Sequence, residues 1–305
     1  MLHEQRATNV GPSRIEIAYE RRGNAGDPGV LLIMGVAAQM IHWPDGFLDA
    51  LVKRGLQVIR FDNRDSGHST HFDTAPPPDL PAALGGDLSS ASYSLSDMAA
   101  DSVGLLDALG LDAAHVVGAS LGGAIAQTMA IEHPTRVLSL TSMMSTTGEP
   151  TVGYIHPETM KTVFGGPPAP TRQAVIDRAV RAFNAVGSPA YPSDPAEIAE
   201  RAGLAWDRDH DELAPARQGI ASIASGDRTL ALRKLDVPAL VIHGLADTMC
   251  DVSGGRATAA AIPGAELMLI EGMGHNLPSG LWDQLADLIA AVVRRSEAAR
   301  GATRQ

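Results

Sequence analysis

A single cysteine, Cys250, stands in a chain of 305 residues, so no disulfide can form within it. That scarcity fits a reducing compartment. Basic residues are outnumbered, 24 Lys and Arg against 35 Asp and Glu, for a formal charge of −11. Phosphate backbones and anionic lipid both need a basic face, so nucleic-acid and membrane-surface partners are excluded. No run reaches the ~18 consecutive apolar residues of a spanning helix. The opening MLHEQRATNVG lacks the charged-then-apolar order of a secretory leader, and a cytoplasmic protein is expected. Aromatic residues are also few, with three Trp and five Phe, so a ligand pocket has to draw on Met, Leu and Ala. None of the ten histidines sits in an H-E-x-x-H pair, and no metal site is expected.

A hydrophobic share of 45% and a charged share of 19% are those of an ordinary globular chain, long enough to bury a large core. Short apolar runs at 30–35, 56–61, 115–118, 137–143, 238–243 and 266–270 alternate with longer helical patterns at 96–109, 121–132 and 281–293. Residues 14–22 alternate apolar and polar, as an edge strand does. Several of the runs are apolar throughout, as strands covered on both faces must be. The pattern predicts an α/β fold with a mostly parallel central sheet flanked by helices. Residues 146–227 break it: they are rich in Pro, Gly and charge, with helical patterns at 171–187 and 194–207 and no strand run. The expected division is a core of residues 1–145 and 228–297, a helical cap at 146–227, and a disordered tail at 298–305.

The strongest chemical signal is Gly118-Ala119-Ser120-Leu121-Gly122, a G-x-S-x-G motif between a strand and a helix. A serine at such a turn is held in a strained conformation with its oxygen exposed, and the small neighbours let strand and helix approach. Serine is a weak nucleophile and needs a base. His275 follows the last strand in Glu271-Gly272-Met273-Gly274-His275, a loop flexible enough to reach over the sheet edge. His115 and His243 bound strands and read as structural, with His243 a possible neighbour of the site. A carboxylate must hold the imidazole in the right tautomer. Asp247, just beyond the strand at 238–243, gives the chain order Ser, Asp, His. Asp251 competes, but it reads better as the cap of a helix at 253–261, and Cys250 reads as a packed thiol.

Attack on a carbonyl builds an oxyanion, which fixed backbone N–H groups stabilise by about 2.7–4 kcal/mol each. One donor is expected from Leu121, the residue after the nucleophile, and the second from the loop Met34-Gly35-Val36-Ala37-Ala38. Val36 is the preferred donor there, with Gly35 the alternative. Gly35, Met40, His42 and Trp43 are expected to line an apolar substrate pocket.

The segments LLIMGVAAQMIHWPDGF, VIRFDNRDSGHST, AHVVGASLGGAIAQTMAIEHP and LMLIEGMGHNLPS resemble the α/β-hydrolases, and most of all the group of esterases around aclacinomycin methylesterase. The resemblance covers most of the chain outside 146–227. It implies an eight-stranded core with a helical cap, Ser120 as nucleophile, Asp247 as acid and His275 as base. Asp62, Arg64, Gly67 and Ser69 match the family's D-x-R-x-x-G-x-S turn, which the resemblance makes mainly structural. Many members carry His-Gly where this chain has Met34-Gly35, although the methylesterase group is similar to it in this respect. The implied activity is cleavage of a carboxylic ester, with a methyl ester of a bulky acid favoured by the resemblance alone, through an acyl-enzyme and with no cofactor. A lactonase, a thioesterase, a carbon–carbon bond hydrolase and a cofactor-free perhydrolase would use the same three residues. A binding protein on the same fold would keep the pocket without turnover.

Overall fold

The computed structural model describes residues 2–165 and 169–303. Eight strands form one sheet: β1 (Gln5–Val10), β2 (Ile15–Arg22), β3 (Gly29–Ile33), β4 (Gln57–Phe61), β5 (Ala114–Ala119), β6 (Val137–Met143), β7 (Ala239–Gly244) and β8 (Glu266–Ile270). Around and between them run α1 (Asp45–Val52), α2 (Leu80–Leu84), α3 (Leu95–Ala108), α4 (Leu121–Glu132), α5 (Pro157–Phe164), α6 (Arg172–Val186), α7 (Pro195–Arg208), α8 (Ala214–Ser225), α9 (Thr229–Leu232), α10 (Ser253–Ala261) and α11 (Trp282–Thr303). The spatial order is β1-β2-β4-β3-β5-β6-β7-β8. β3 to β8 are parallel throughout, and β2 pairs antiparallel with both β1 and β4.

The two-residue period of a strand explains the uninterrupted apolar runs. In β3, Leu31 and Ile33 enter one core cluster with Leu105 and Met129, while Val30 and Leu32 enter another with Phe47 and Ile289. In β5, Val116 and Val117 divide in the same way. Every central strand is therefore a wall between two cores. No helix among the described residues is long and apolar enough to cross a membrane.

One strand was not anticipated, and one expectation needs correction. The strand at Gln5–Val10 left little trace in the sequence, because only Ala7 and Val10 turn inward from an exposed edge strand. Residues 298–303, expected to be disordered, continue α11 to Thr303. Ala298 and Ala299 favour helix, Arg300 pairs with Glu297 one turn back at 2.7 Å, and Ser296 donates to the Leu138 carbonyl at 2.7 Å. Between β6 and β7 lie α5, α6, α7 and α8. Of these, α8 packs on the core: Ala221 belongs to the first cluster, and the Leu95 N–H donates to Ser225 Oγ at 2.9 Å.

Buried charge ties the loop after β4 to α3 and α8. Arg64 bonds Asp101 through Nε and Nη2, at 2.6 and 2.8 Å, and lies 4.9 Å above the Phe72 ring. Asp65, fully buried, accepts two bonds of 2.8 Å from Arg217 on α8 and one of 2.7 Å from the Tyr93 hydroxyl. His71 completes the cluster with Asp211 at 3.3 Å, Asp209 at 3.5 Å and Asp65 at 3.9 Å. Asp65, His71 and Asp211 could together face a cation, but the Arg217 guanidinium already bonds both carboxylates. Burial works against a charged His71, yet the Gly67 carbonyl and the carboxylates of Asp209, Asp211 and Asp65 outweigh it and raise its pKa above 6.5.

Removing Arg217 leaves Asp65 charged and buried, so Arg217→Met should cost about 3–5 kcal/mol, read as a lower urea midpoint. The raised pKa of His71 gives its contribution a definite sign. It is complete below pH 6.5, the unshifted value, and is lost as pH rises through the higher folded value. The gap in urea midpoint between wild type and His71→Ala should therefore narrow as pH increases, and a gap that widened would contradict the assignment.

Candidate active site

Ser120 stands where β5 ends and α4 begins, with φ +56° and ψ −122°. A side-chain-bearing residue adopts that conformation only when its surroundings impose it, and here the neighbours do. A β-carbon on Gly118 would lie 2.0 Å from the Gly122 carbonyl oxygen, and one on Gly122 would lie 2.0 Å from that of Ile33. Only glycines let α4 come this close to β3 and β5, and the Ser120 N–H is pinned to the Met143 carbonyl at 2.9 Å. The hydroxyl is thereby lifted off the sheet at the positive end of α4.

His275 meets it. His275 Nε2 lies 3.0 Å from Ser120 Oγ, and Nδ1 lies 2.7 Å from Asp247 Oδ2. The other Asp247 oxygen accepts the N–H groups of Met249 and Cys250 at 2.9 and 2.8 Å. Burial alone would raise the Asp247 pKa; His275, His243 and the Cys250 N–H more than reverse that and hold it well below the usual carboxylate range. The carboxylate is ionised, so Nδ1 of His275 carries the proton and Nε2 is left to accept from the serine.

The imidazole loop is gripped by the end of α6, a segment that no sequence motif singles out. The His275 N–H donates to the Val186 carbonyl at 2.7 Å, and the Gly274 N–H to Ser188 Oγ at 2.9 Å. Ser188 in turn donates to Asn276 Oδ1 at 2.5 Å. His243 is fully buried beside the same carboxylate, with Nε2 donating to the Cys250 carbonyl at 2.8 Å and standing 3.5 Å from Asp247. Asp251 accepts the Ser253 N–H at the start of α10 and pairs with His156 at 3.1 Å, away from His275. Burial, then the charges of Asp247 and Asp251, push the Cys250 thiol up and keep it unreactive.

Opposite Ser120 runs the loop after β3. A β-carbon on Gly35 would stand 3.0 Å from Ser120 Cβ, so the glycine is what lets this loop come so close. Ala37 is held at φ +59°. Among the described residues, the N–H groups of Val36 and Leu121 have no hydrogen-bond acceptor. The turn at 62–69 supports the loop from beneath. Asn63 donates to the Met34 carbonyl at 2.9 Å, Ser66 to the Ala38 carbonyl at 2.8 Å, and Asp62 accepts the Met40 N–H at 2.7 Å. Gln218, buried on α8, accepts the Ala37 N–H at 2.9 Å. The four expected pocket residues separate. Trp43 is a core residue, fully buried and stacked 5.8 Å from Phe47, and Met40 is sealed as well. Gly35 faces the serine, and His42 is half-buried.

Comparison with known proteins agrees with this architecture. The profile of a family described as "alpha/beta hydrolase fold" matches residues 28–278. Rhodomycin D methylesterase of Streptomyces peucetius is 31% identical over 294 residues, covering 90% of this chain and 94% of that protein. The structure of an enol-lactonase from Burkholderia xenovorans superposes with a TM-score of 0.71 at 21% identity, over 95% of this chain and 100% of the other. That of a 2-hydroxy-6-oxo-6-phenylhexa-2,4-dienoate hydrolase from a Rhodococcus species gives 0.74 at 19%, over 96% and 99%.

The strain at position 120 can be measured. Relieving a backbone of this kind gains about 1–3 kcal/mol, more than the chain entropy of up to about 1 kcal/mol that glycine adds. Ser120→Gly should unfold at the same or a higher urea concentration than wild type, and a clear drop would show that the turn is unstrained.

Proposed function

The chain belongs to the α/β-hydrolase family, and from that premise we propose that it is a serine esterase acting on the methyl ester of a bulky carboxylic acid. The observation that carries the reading is the continuous hydrogen-bonded chain from Ser120 Oγ through His275 to Asp247, at 3.0 and 2.7 Å. The methyl-ester part rests on likeness to the Streptomyces methylesterase, which aligns along nearly its whole length.

In the first stage Ser120 Oγ attacks the ester carbonyl carbon while its proton passes to His275 Nε2. Asp247 stabilises the imidazolium that forms and holds its ring. The carbonyl oxygen, now negative, is received by the N–H groups of Leu121 and Val36. The alcohol leaves with the proton from Nε2, and the acyl group stays on Ser120. Water then gives a proton to Nε2 as its oxygen attacks the acyl carbon; the bond to Ser120 Oγ breaks while Nε2 returns that proton to the serine oxygen, and the acid is released. Each step uses groups of the chain alone. Within residues 146–227, α5, α6 and α7 serve as the cap and set substrate choice, while α8 braces the oxyanion loop through Gln218.

Purified Ser120→Ala should lose p-nitrophenyl ester hydrolysis by about 10⁴-fold or more and should no longer be labelled by a fluorophosphonate. Retention of wild-type turnover would overturn the nucleophile. A panel of methyl, ethyl and butyl esters of small and bulky acids, with a lactone and a thioester, tests the substrate. Preference for a methyl ester of a bulky acid is expected; preference for the lactone or thioester would replace that class while keeping the residues.

A further inference from the structure

A cavity of about 400 Å³ opens between α7, the turn that follows the oxyanion loop and the start of α11. Its lining does not include Ser120 or His275. Ile41, Pro44, Leu204 and Trp282 give it apolar walls, and a smaller neighbouring cavity reaches Leu277. Arg201 lines both. Its guanidinium is half-buried, and among the described residues it has no hydrogen bond and no ion pair within 4.0 Å. Each other deeply placed arginine of this region is saturated: Arg60 bonds Glu20, Asp45 and the Trp43 carbonyl, and Arg208 bonds Gln39, Glu4 and Asp62. A guanidinium carries five N–H donors in a planar fork that matches a carboxylate. Its charge is set only against the carboxylates of Glu197, Asp45 and Glu200 around the cavity, without a hydrogen bond to any of them, so its N–H donors are open to a ligand carboxylate.

We propose that this cavity is a binding site for a monocarboxylate with an aromatic or alicyclic body, its carboxylate held by Arg201 and its rings by Trp282 and Ile41. A single negative charge is the limit. Asp45 is already neutralised by Arg22 and Arg60, at 2.9 and 2.7 Å, but Glu197 and Glu200 stand exposed on the rim and would repel a phosphate dianion. His42 next to it is no second cation. Loss of hydration, followed by the charges of Arg201 and Arg208, holds it down at about 4. Its Nδ1 accepts the Gln39 N–H at 3.0 Å, so its proton sits on Nε2, a neutral donor. The walls are continuous in sequence with the oxyanion loop on one side and the imidazole loop on the other, yet the site needs neither Ser120 nor catalysis to bind.

Isothermal titration of the full chain with 2-naphthoate tests it, with 2-naphthamide as the uncharged isostere. Saturable binding of naphthoate is expected, weaker by at least about tenfold for the amide and in Arg201→Met. The exposed pair Glu197→Gln and Glu200→Gln, which leaves the fold untouched, should tighten naphthoate binding by removing repulsion. Equal binding of acid and amide, or unchanged affinity in both variants, would overturn the proposal. So would a crystal structure of the complex with naphthoate seated at Ser120 instead of Arg201.

Discussion

Everything at the site depends on how closely α4 is pressed against β3 and β5. Gly122 sits where any side chain would run into the Ile33 carbonyl, and Gly118 where it would run into Gly122. That contact forces Ser120 into positive φ and aims its oxygen away from the sheet. It also sets the distance to the loop after β3, so that Gly35 lies against the same side chain. The close packing costs backbone strain at one residue, and the surrounding core sustains it.

Parallel strands then do the gathering. β3, β5, β7 and β8 all end at the same edge, so the loops that follow them converge there, although the first and last are more than two hundred residues apart in the chain. Asp247 follows β7 and His275 follows β8, each one loop beyond its strand. Convergence alone would leave these loops mobile. They are fixed by buried polar contacts: Asn63, Ser66 and Gln218 on the loop after β3, Val186 and Ser188 on the loop that carries His275. Three of these five braces, Gln218, Val186 and Ser188, therefore come from the segment inserted between β6 and β7. Movement of that segment would be felt directly by both the loop after β3 and His275.

Buried charge in this protein serves position more than net stability. Arg217 and Asp65, or Arg64 and Asp101, bring desolvation costs that their attraction largely offsets. What they secure is the register of α8 and α3 against the turn at 62–69, and through that turn the loop at 34–40. Arg201, in the same neighbourhood, faces the carboxylates of Glu197, Asp45 and Glu200 but among the described residues makes no hydrogen bond.

Much of this was legible in the linear chain. Six apolar runs and the alternating stretch at 14–22 marked seven of the eight strands, and the glycines around Ser120 marked the turn, because strand period and steric exclusion act over a few residues. The order Ser120, Asp247, His275 followed from loops after strands. The edge strand at Gln5–Val10 escaped because exposure on both sides leaves almost no alternation to read. Helix beyond residue 297 escaped because a stretch of small and polar residues gains its order from Ser296 anchoring on Leu138. Trp43 looked like a pocket wall, and only packing against Phe47 made it core. Local sterics and period fix which residues can form an element or a strained turn, and those are properties of neighbouring residues. Which distant donor meets which acceptor, such as Ala37 with Gln218 or His275 with Val186, was decided only when the elements packed.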